Sequence, residues 1–132
     1  MNLMNYKETI EILEKNIEEL IEENKTTPII VEGEKDIAAL RKLGIIGVII
    51  QINRGLSITA FCDKLTQRYT SIILLTDWDE KGGQLFSMIK KNLKGRVECI
   101  TRYRDVFAMH VSVRTIEGLP SWIDTLKIKL NK

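Results

Sequence analysis

At 132 residues, 44% of them hydrophobic and 29% charged, the chain has room for one compact domain with a real core and none for a second. Its longest apolar stretch, Ile45 to Ile50 with Gly47 inside it, falls far short of the roughly 20 residues a membrane span needs. The start, Met1-Asn2-Leu3-Met4-Asn5, lacks the basic and apolar regions of a secretory leader, so a cytoplasmic protein with no membrane partner is expected.

Tyr6, Ile10, Leu13, Ile17 and Leu20 recur at steps of four and three, which predicts one stripe of an amphipathic helix. Pro28 disfavours helix just before it, so the helix ends near Asn24. The stripe suits packing on the domain's own sheet, or a short coiled coil that forms a homodimer or engages a larger protein partner. Residues 1–27 are read as this helix and residues 28–132 as the rest of the same compact unit.

From Pro28 the pattern changes to alternating strands and helices. Ile29 to Val31 reads as a short buried strand. Glu34 to Leu43 reads as a helix with Ile37, Leu40 and Leu43 on one face and Gly44 at its end. Val48 to Ile52 is the next strand, followed by a turn at Asn53-Arg54-Gly55. Ser57 caps a helix carrying Ile58, Phe61, Cys62 and Leu65, and Ile72 to Leu75 is the third strand. A helix from Glu80 to Leu93, then Gly95 and a fourth strand from Val97 to Ile100, complete the alternation. The segment Val106 to Val113 reads as strand or as the lead-in to a helix beginning after Ser112, and a last helix spans Trp122 to Leu130. This order predicts an α/β fold, a Rossmann-like four-stranded parallel sheet flanked by helices, with the amphipathic helix in front.

Two strands empty into acidic loops. Ile29-Ile30-Val31 is closed by Glu32-Gly33, and Ile72-Ile73-Leu74-Leu75 by Thr76, then Asp77-Trp78-Asp79-Glu80-Lys81-Gly82. If these strands are neighbours, Glu32, Asp77 and Asp79 meet at the C-terminal edge of the sheet, where open α/β folds place their chemistry. Carboxylates without a nearby His or Cys suit a hard divalent cation, Mg²⁺ or Mn²⁺. Gly33 has no Cβ to bar a sharp turn or the close approach of a phosphate or ion. Asp77 and Asp79, two apart, share a face in extended chain, although Asp79 equally fits the cap of the helix starting at Glu80. Zinc is excluded by the two distant cysteines, Cys62 and Cys99, and the single histidine, His110; the thiols and the histidine are read as structural.

The pair of motifs, Val31-Glu32-Gly33-Glu34-Lys35-Asp36 and Thr76-Asp77-Trp78-Asp79-Glu80-Lys81-Gly82, resembles the Toprim family, the metal-binding domain of type IA and type II topoisomerases, bacterial-type primases, OLD-type nucleases and small nucleases that mature ribosomal RNA. The likeness covers about residues 28 to 100. It implies Glu32 as general acid or base or as metal ligand, and Asp77 and Asp79 as Mg²⁺ ligands. The strand-breaking tyrosine domain of topoisomerases and the zinc-binding cysteines of primases have no counterpart, and Tyr6, Tyr69 and Tyr103 read as packing or surface residues. The chain is therefore most similar to small standalone Toprim proteins and to the Toprim half of the rRNA-maturing nucleases. The resemblance implies Mg²⁺-dependent binding of nucleic acid, RNA before DNA, or alternatively metal-dependent phosphodiester cleavage.

Lys35, Arg54 and Lys81 fall at the same sheet edge and are candidate phosphate contacts. Glu34, Asp36 and Glu80 enlarge the acidic cluster, as supporting ligands or as acids favouring a helix N-terminus. Alternation turns Trp78 away from its flanking aspartates, either under the loop or outward as a stacking platform. Arg102-Tyr103-Arg104 reads by default as a solvated strand end. Charge is distributed unevenly: residues 7–23 hold seven glutamates against two lysines, while from Lys81 onward eleven Lys and Arg face four acids. Such a gradient steers polyanions as readily as it solvates a surface.

Overall fold

The structure, a computed structural model, describes residues 3–52 and 54–131, the side chains of residues 3 and 4 excepted; Asn53 of the expected turn lies outside the described residues. In chain order the elements are α1 (Leu3–Asn24), β1 (Ile29–Val31), α2 (Glu34–Lys42), β2 (Ile49–Gln51), α3 (Ile58–Arg68), β3 (Ser71–Leu74), α4 (Glu80–Leu93), β4 (Glu98–Ile100), α5 (Arg102–His110) and α6 (Leu119–Leu130). Alternate residues of a strand face opposite sides of a sheet, and here both sides are buried. Ile29, Val31, Ile73 and Leu75 enter one core with Leu13, Leu20, Leu40, Tyr103, Phe107 and Ile123. Ile30, Ile72 and Leu74 enter the other with Phe61, Leu65, Ile89 and Leu93. Helices α1, α2, α5 and α6 thus cover one face, and α3 and α4 the other. Double burial is why these strands read as continuous apolar runs.

All pairings are parallel and the order is β2-β1-β3-β4, the four-stranded α/β sheet that the alternation predicts. The connection from β1 runs toward one edge and that from β3 toward the other, so the crevice between their C-terminal ends is the topological switch point. No helix among the described residues is long and apolar enough to cross a membrane.

The stripe of α1 is spent inside its own chain. Leu13 and Leu20 are fully buried, and α1 packs on α5 and α6. Buried polar groups fix its register. Asn16 Nδ2 donates to the Tyr103 carbonyl at 3.1 Å, and Asn24 Nδ2 donates to the carbonyls of Thr27 (3.0 Å) and Val48 (2.9 Å).

The C-terminal reading needs correction. Residues 102–110 are a helix, neither the solvated strand end nor the strand considered for Val106 to Val113, and α6 begins at Leu119, three residues ahead of the expected Trp122. Helix α5 buries Tyr103, Arg104 and Phe107. An arginine in the buried face interrupts the apolar periodicity by which a helix is recognised.

Candidate metal and nucleic-acid site

Glu32 ends β1 and Asp77 follows β3, and the pairing of those strands brings them together. Glu32 Oε2 accepts the Asp77 backbone N–H at 2.9 Å. Asp77 Oδ1 accepts the N–H of Ile116 at 2.8 Å, which occupies one of its two carboxylate oxygens. Asp36, only 7% exposed, folds back so that Oδ2 accepts the Gly33 N–H at 3.1 Å. Asp79 caps α4, its Oδ1 accepting the Gly82 N–H at 2.7 Å. The cap reading of Asp79 is the one this contact shows: one oxygen serves the helix end.

The loop from Thr76 to Gly82 is closed on itself and clamped from outside. Thr76 Oγ1 donates to the Gly82 carbonyl at 2.9 Å. A Cβ on Gly82 would lie 2.0 Å from the Asp77 carbonyl oxygen, so glycine is required by this close approach. Arg104, 9% exposed, donates from Nε to the Thr76 carbonyl (3.0 Å) and from Nη2 to the Asp77 carbonyl (2.9 Å), with its guanidinium 4.2 Å from the centroid of Phe86. Trp78 packs under the loop: its ring stacks on Phe107 with centroids 5.7 Å apart. The indole Nε1 donates to the Val113 carbonyl at 2.7 Å, and the Trp78 N–H to the Arg114 carbonyl at 3.0 Å.

These residues line a cleft of about 690 Å³ whose walls include Glu32, Asp36, Asp77, Lys35, Arg54 and Lys81. All three candidate phosphate contacts thus open onto the same space as Glu32 and Asp77, whereas Asp79 sits behind it at the helix cap. None of Lys35, Arg54 and Lys81 forms an ion pair among the described residues. Sequence reasoning missed Arg104 as the clamp and Glu117 as part of the cleft wall. Arg104 belonged to a helix it had not recognised. Glu117 arrives in an irregular segment with no local signal.

Negative charge accumulates here around one buried cation, Arg104, which interacts electrostatically with Asp77, Glu32 and Asp79. Asp77 is pushed up to about 7, chiefly because it is half-buried and then because Asp36, Glu32 and Asp79 repel its charge, while the Ile116 N–H works the other way. Burial likewise raises Asp36, with Glu32 and Glu117 adding to it and the Gly33 N–H opposing. Among the described residues no three His, Cys, Asp or Glu side chains stand close enough to enclose an ion. The carboxylates that line the cleft, Glu32, Asp36 and Asp77, are oxygen donors, the chemistry that suits a hard divalent cation. Gly33 fits it also: its backbone is extended (φ −157°) and nothing lies within 4 Å of where a Cβ would be. The fold itself does not require glycine there.

A parallel β2-β1-β3-β4 sheet with an acid after β1 and an Asp-x-Asp after β3 defines a Toprim domain, and the Toprim domain family model matches residues 27–110. The chain belongs to the Toprim domain family, whose function is metal-binding and related to nucleic acid. Among curated proteins it is similar to UPF0292 proteins. One, from Thermoplasma volcanium, is 43% identical over 74% of this chain and 83% of its own length. Another, from Methanocaldococcus jannaschii, is 35% identical over 92% of this chain and 97% of its own. A solved structure of a protein from Aquifex aeolicus superposes with a TM-score of 0.69 at 25% identity, covering 80% of this chain and 95% of that one.

Proposed function

We propose that the chain binds nucleic acid, RNA in preference to DNA, through a Mg²⁺ ion (Mn²⁺ in its place) held in the cleft between β1 and β3. One observation carries this reading: Glu32 and Asp77, fastened to each other, share a cleft with three cations that have no carboxylate partner. Glu32 and the other oxygen of Asp77 would hold the ion, with Asp79 adding charge from the α4 cap. Bound there, the ion supplies Lewis acidity and a template for phosphate oxygens. Lys35, Arg54 and Lys81 would take the remaining phosphate charge, which positions a backbone without reading its sequence. The likeness to rRNA-maturing nucleases favours RNA. The protein would act in the cytoplasm, with α1 as the element through which it would meet a second copy or a larger protein partner.

The alternative is a metal-dependent nuclease in which Glu32 takes the proton from an attacking water. Its support is the position of Glu32, whose carboxylate opens onto the cleft beside Asp77. The two readings separate on one labelled RNA incubated with Mg²⁺, Mn²⁺ or chelator, followed by retention on the protein and by length on a denaturing gel. Ion-dependent retention of intact RNA supports the binding module. Shortened product that disappears in Glu32→Gln supports the nuclease. Retention indifferent to the ion, with no shortened product, overturns both.

A further inference from the structure

A second depression adjoins the cleft. It holds about 320 Å³ between the free edge of β2 and the outer flank of α3, with Ile50, Leu56 and Leu65 as floor and Lys64, Arg68 and Tyr69 as wall. Gln51, at the C-terminal end of β2, lines both this groove and the cleft, so the two adjoin there. Helical spacing accounts for the wall. Asp63 and Thr66 turn toward the α4 side, where Arg96 Nη2 meets Asp63 Oδ1 at 2.6 Å and Thr66 Oγ1 at 3.5 Å. Lys64 and Arg68, at i and i+4, turn the opposite way. Both are exposed, and neither forms an ion pair among the described residues. The Tyr69 ring is half-buried at the far end of α3.

We infer that this groove is the exit track for a single nucleic-acid strand whose phosphate sits in the cleft. The inference rests on the reading of the cleft as a nucleic-acid site. Two unpaired cations along one helix match successive phosphates in charge, a half-buried aromatic ring offers a stacking face, and an apolar floor accommodates unpaired bases; this is the combination by which single strands are held without sequence preference. The eleven residues of α3 supply a wall about 15 Å long, so only an oligonucleotide longer than the cleft reaches its far end. A duplex does not present free base faces to Tyr69, which makes the track selective for single strands.

Two labelled oligouridylates test it, one of about four nucleotides that fills the cleft and one of about twelve that also follows the groove. With Mg²⁺ present, the double variant Lys64→Glu/Arg68→Glu should bind the longer strand about tenfold more weakly near physiological salt, from the loss of two phosphate contacts, with a shallower salt dependence. Its affinity for the short strand should stay at the wild-type value. Tyr69→Leu keeps the apolar packing and loses the stacking face, and should weaken only the longer strand, while Tyr69→Phe restores it. Unchanged affinity of the charge-reversed variant for the longer strand overturns the track, as does equal weakening of both lengths. If wild-type protein binds neither length, the reading of the cleft fails and the track with it.

Discussion

The Glu32 carboxylate and the Asp77 amide are 45 residues apart in the chain and 2.9 Å apart in the structure. One side chain therefore fastens two strand ends while presenting itself to the cleft. The two roles are separable by mutation. Glu32→Gln retains an oxygen that accepts the Asp77 N–H, so thermal stability should stay within about 1 kcal/mol of wild type while ion-dependent binding of RNA is lost. Glu32→Ala removes the acceptor as well and should cost about 1–3 kcal/mol. Chemical denaturation beside a binding assay reads both; an RNA-binding Glu32→Gln protein would overturn the ligand role.

Two adjacent glycines should behave oppositely. At Gly82 a Cβ would collide with the Asp77 carbonyl at 2.0 Å, whereas at Gly83 nothing lies within 4 Å. Gly82→Ala should destabilise by about 3 kcal/mol or more, since backbone must move. Gly83→Ala lies inside α4 and should stabilise by about 0.5–1 kcal/mol through reduced freedom of the unfolded chain. Melting temperatures of the two variants check the pair.

Asp77 is stored at a cost in the metal-free protein. Its folded pKa of about 7 lies above the ordinary aspartate value of 3.8, so the folded state holds the proton more tightly. The stability this confers is complete below about pH 4 and is lost as pH rises through about 7. Asp77→Asn still accepts the Ile116 N–H and does not ionise. In chelator it should equal wild type near pH 4 and exceed it at pH 8, by about 1–2 kcal/mol after allowance for solvent screening of the exposed part. Added Mg²⁺ should raise the melting temperature of wild type alone. A variant no more stable than wild type at pH 8 would contradict the repulsion described for this loop.

Helix α1 is expected to be part of the fold rather than an appendage. Leu13 is fully buried in the core where α1 packs on α5 and α6, whereas neighbouring Ile12 is 39% exposed. Leu13→Ala should cost about 2–5 kcal/mol and Ile12→Ala under about 1 kcal/mol. Equal small effects in urea unfolding would show that α1 folds independently of the remainder.

What could be read from the sequence follows from how local its cause is. The end of β1 and the start of α4 were legible because an apolar run stops at Glu32 and because Asp79 and Gly82 make a cap within four residues. Parallel pairing of β1 with β3 followed from alternation with helices, and it is this pairing that joins Glu32 to Asp77. Helix α5 was not legible: its buried face is Tyr103, Arg104 and Phe107, and the arginine is there for two carbonyls 27 and 28 residues earlier in the chain. The Ile116 amide on Asp77 is a backbone group in an irregular segment, and no residue type encodes it. Glu117 is brought to the cleft by that same segment.

Trp78 carries a consequence beyond packing. It stands between the two aspartates in the chain, while its indole lies under the loop, stacked on Phe107 and tethered at Nε1 to Val113. A charge arriving beside Asp77 changes the electric field across that ring while the ring itself stays fixed. The protein thus carries a fluorophore under the acidic loop, and with the second tryptophan replaced in Trp122→Phe, occupancy of the cleft should be readable as a change in emission without a label.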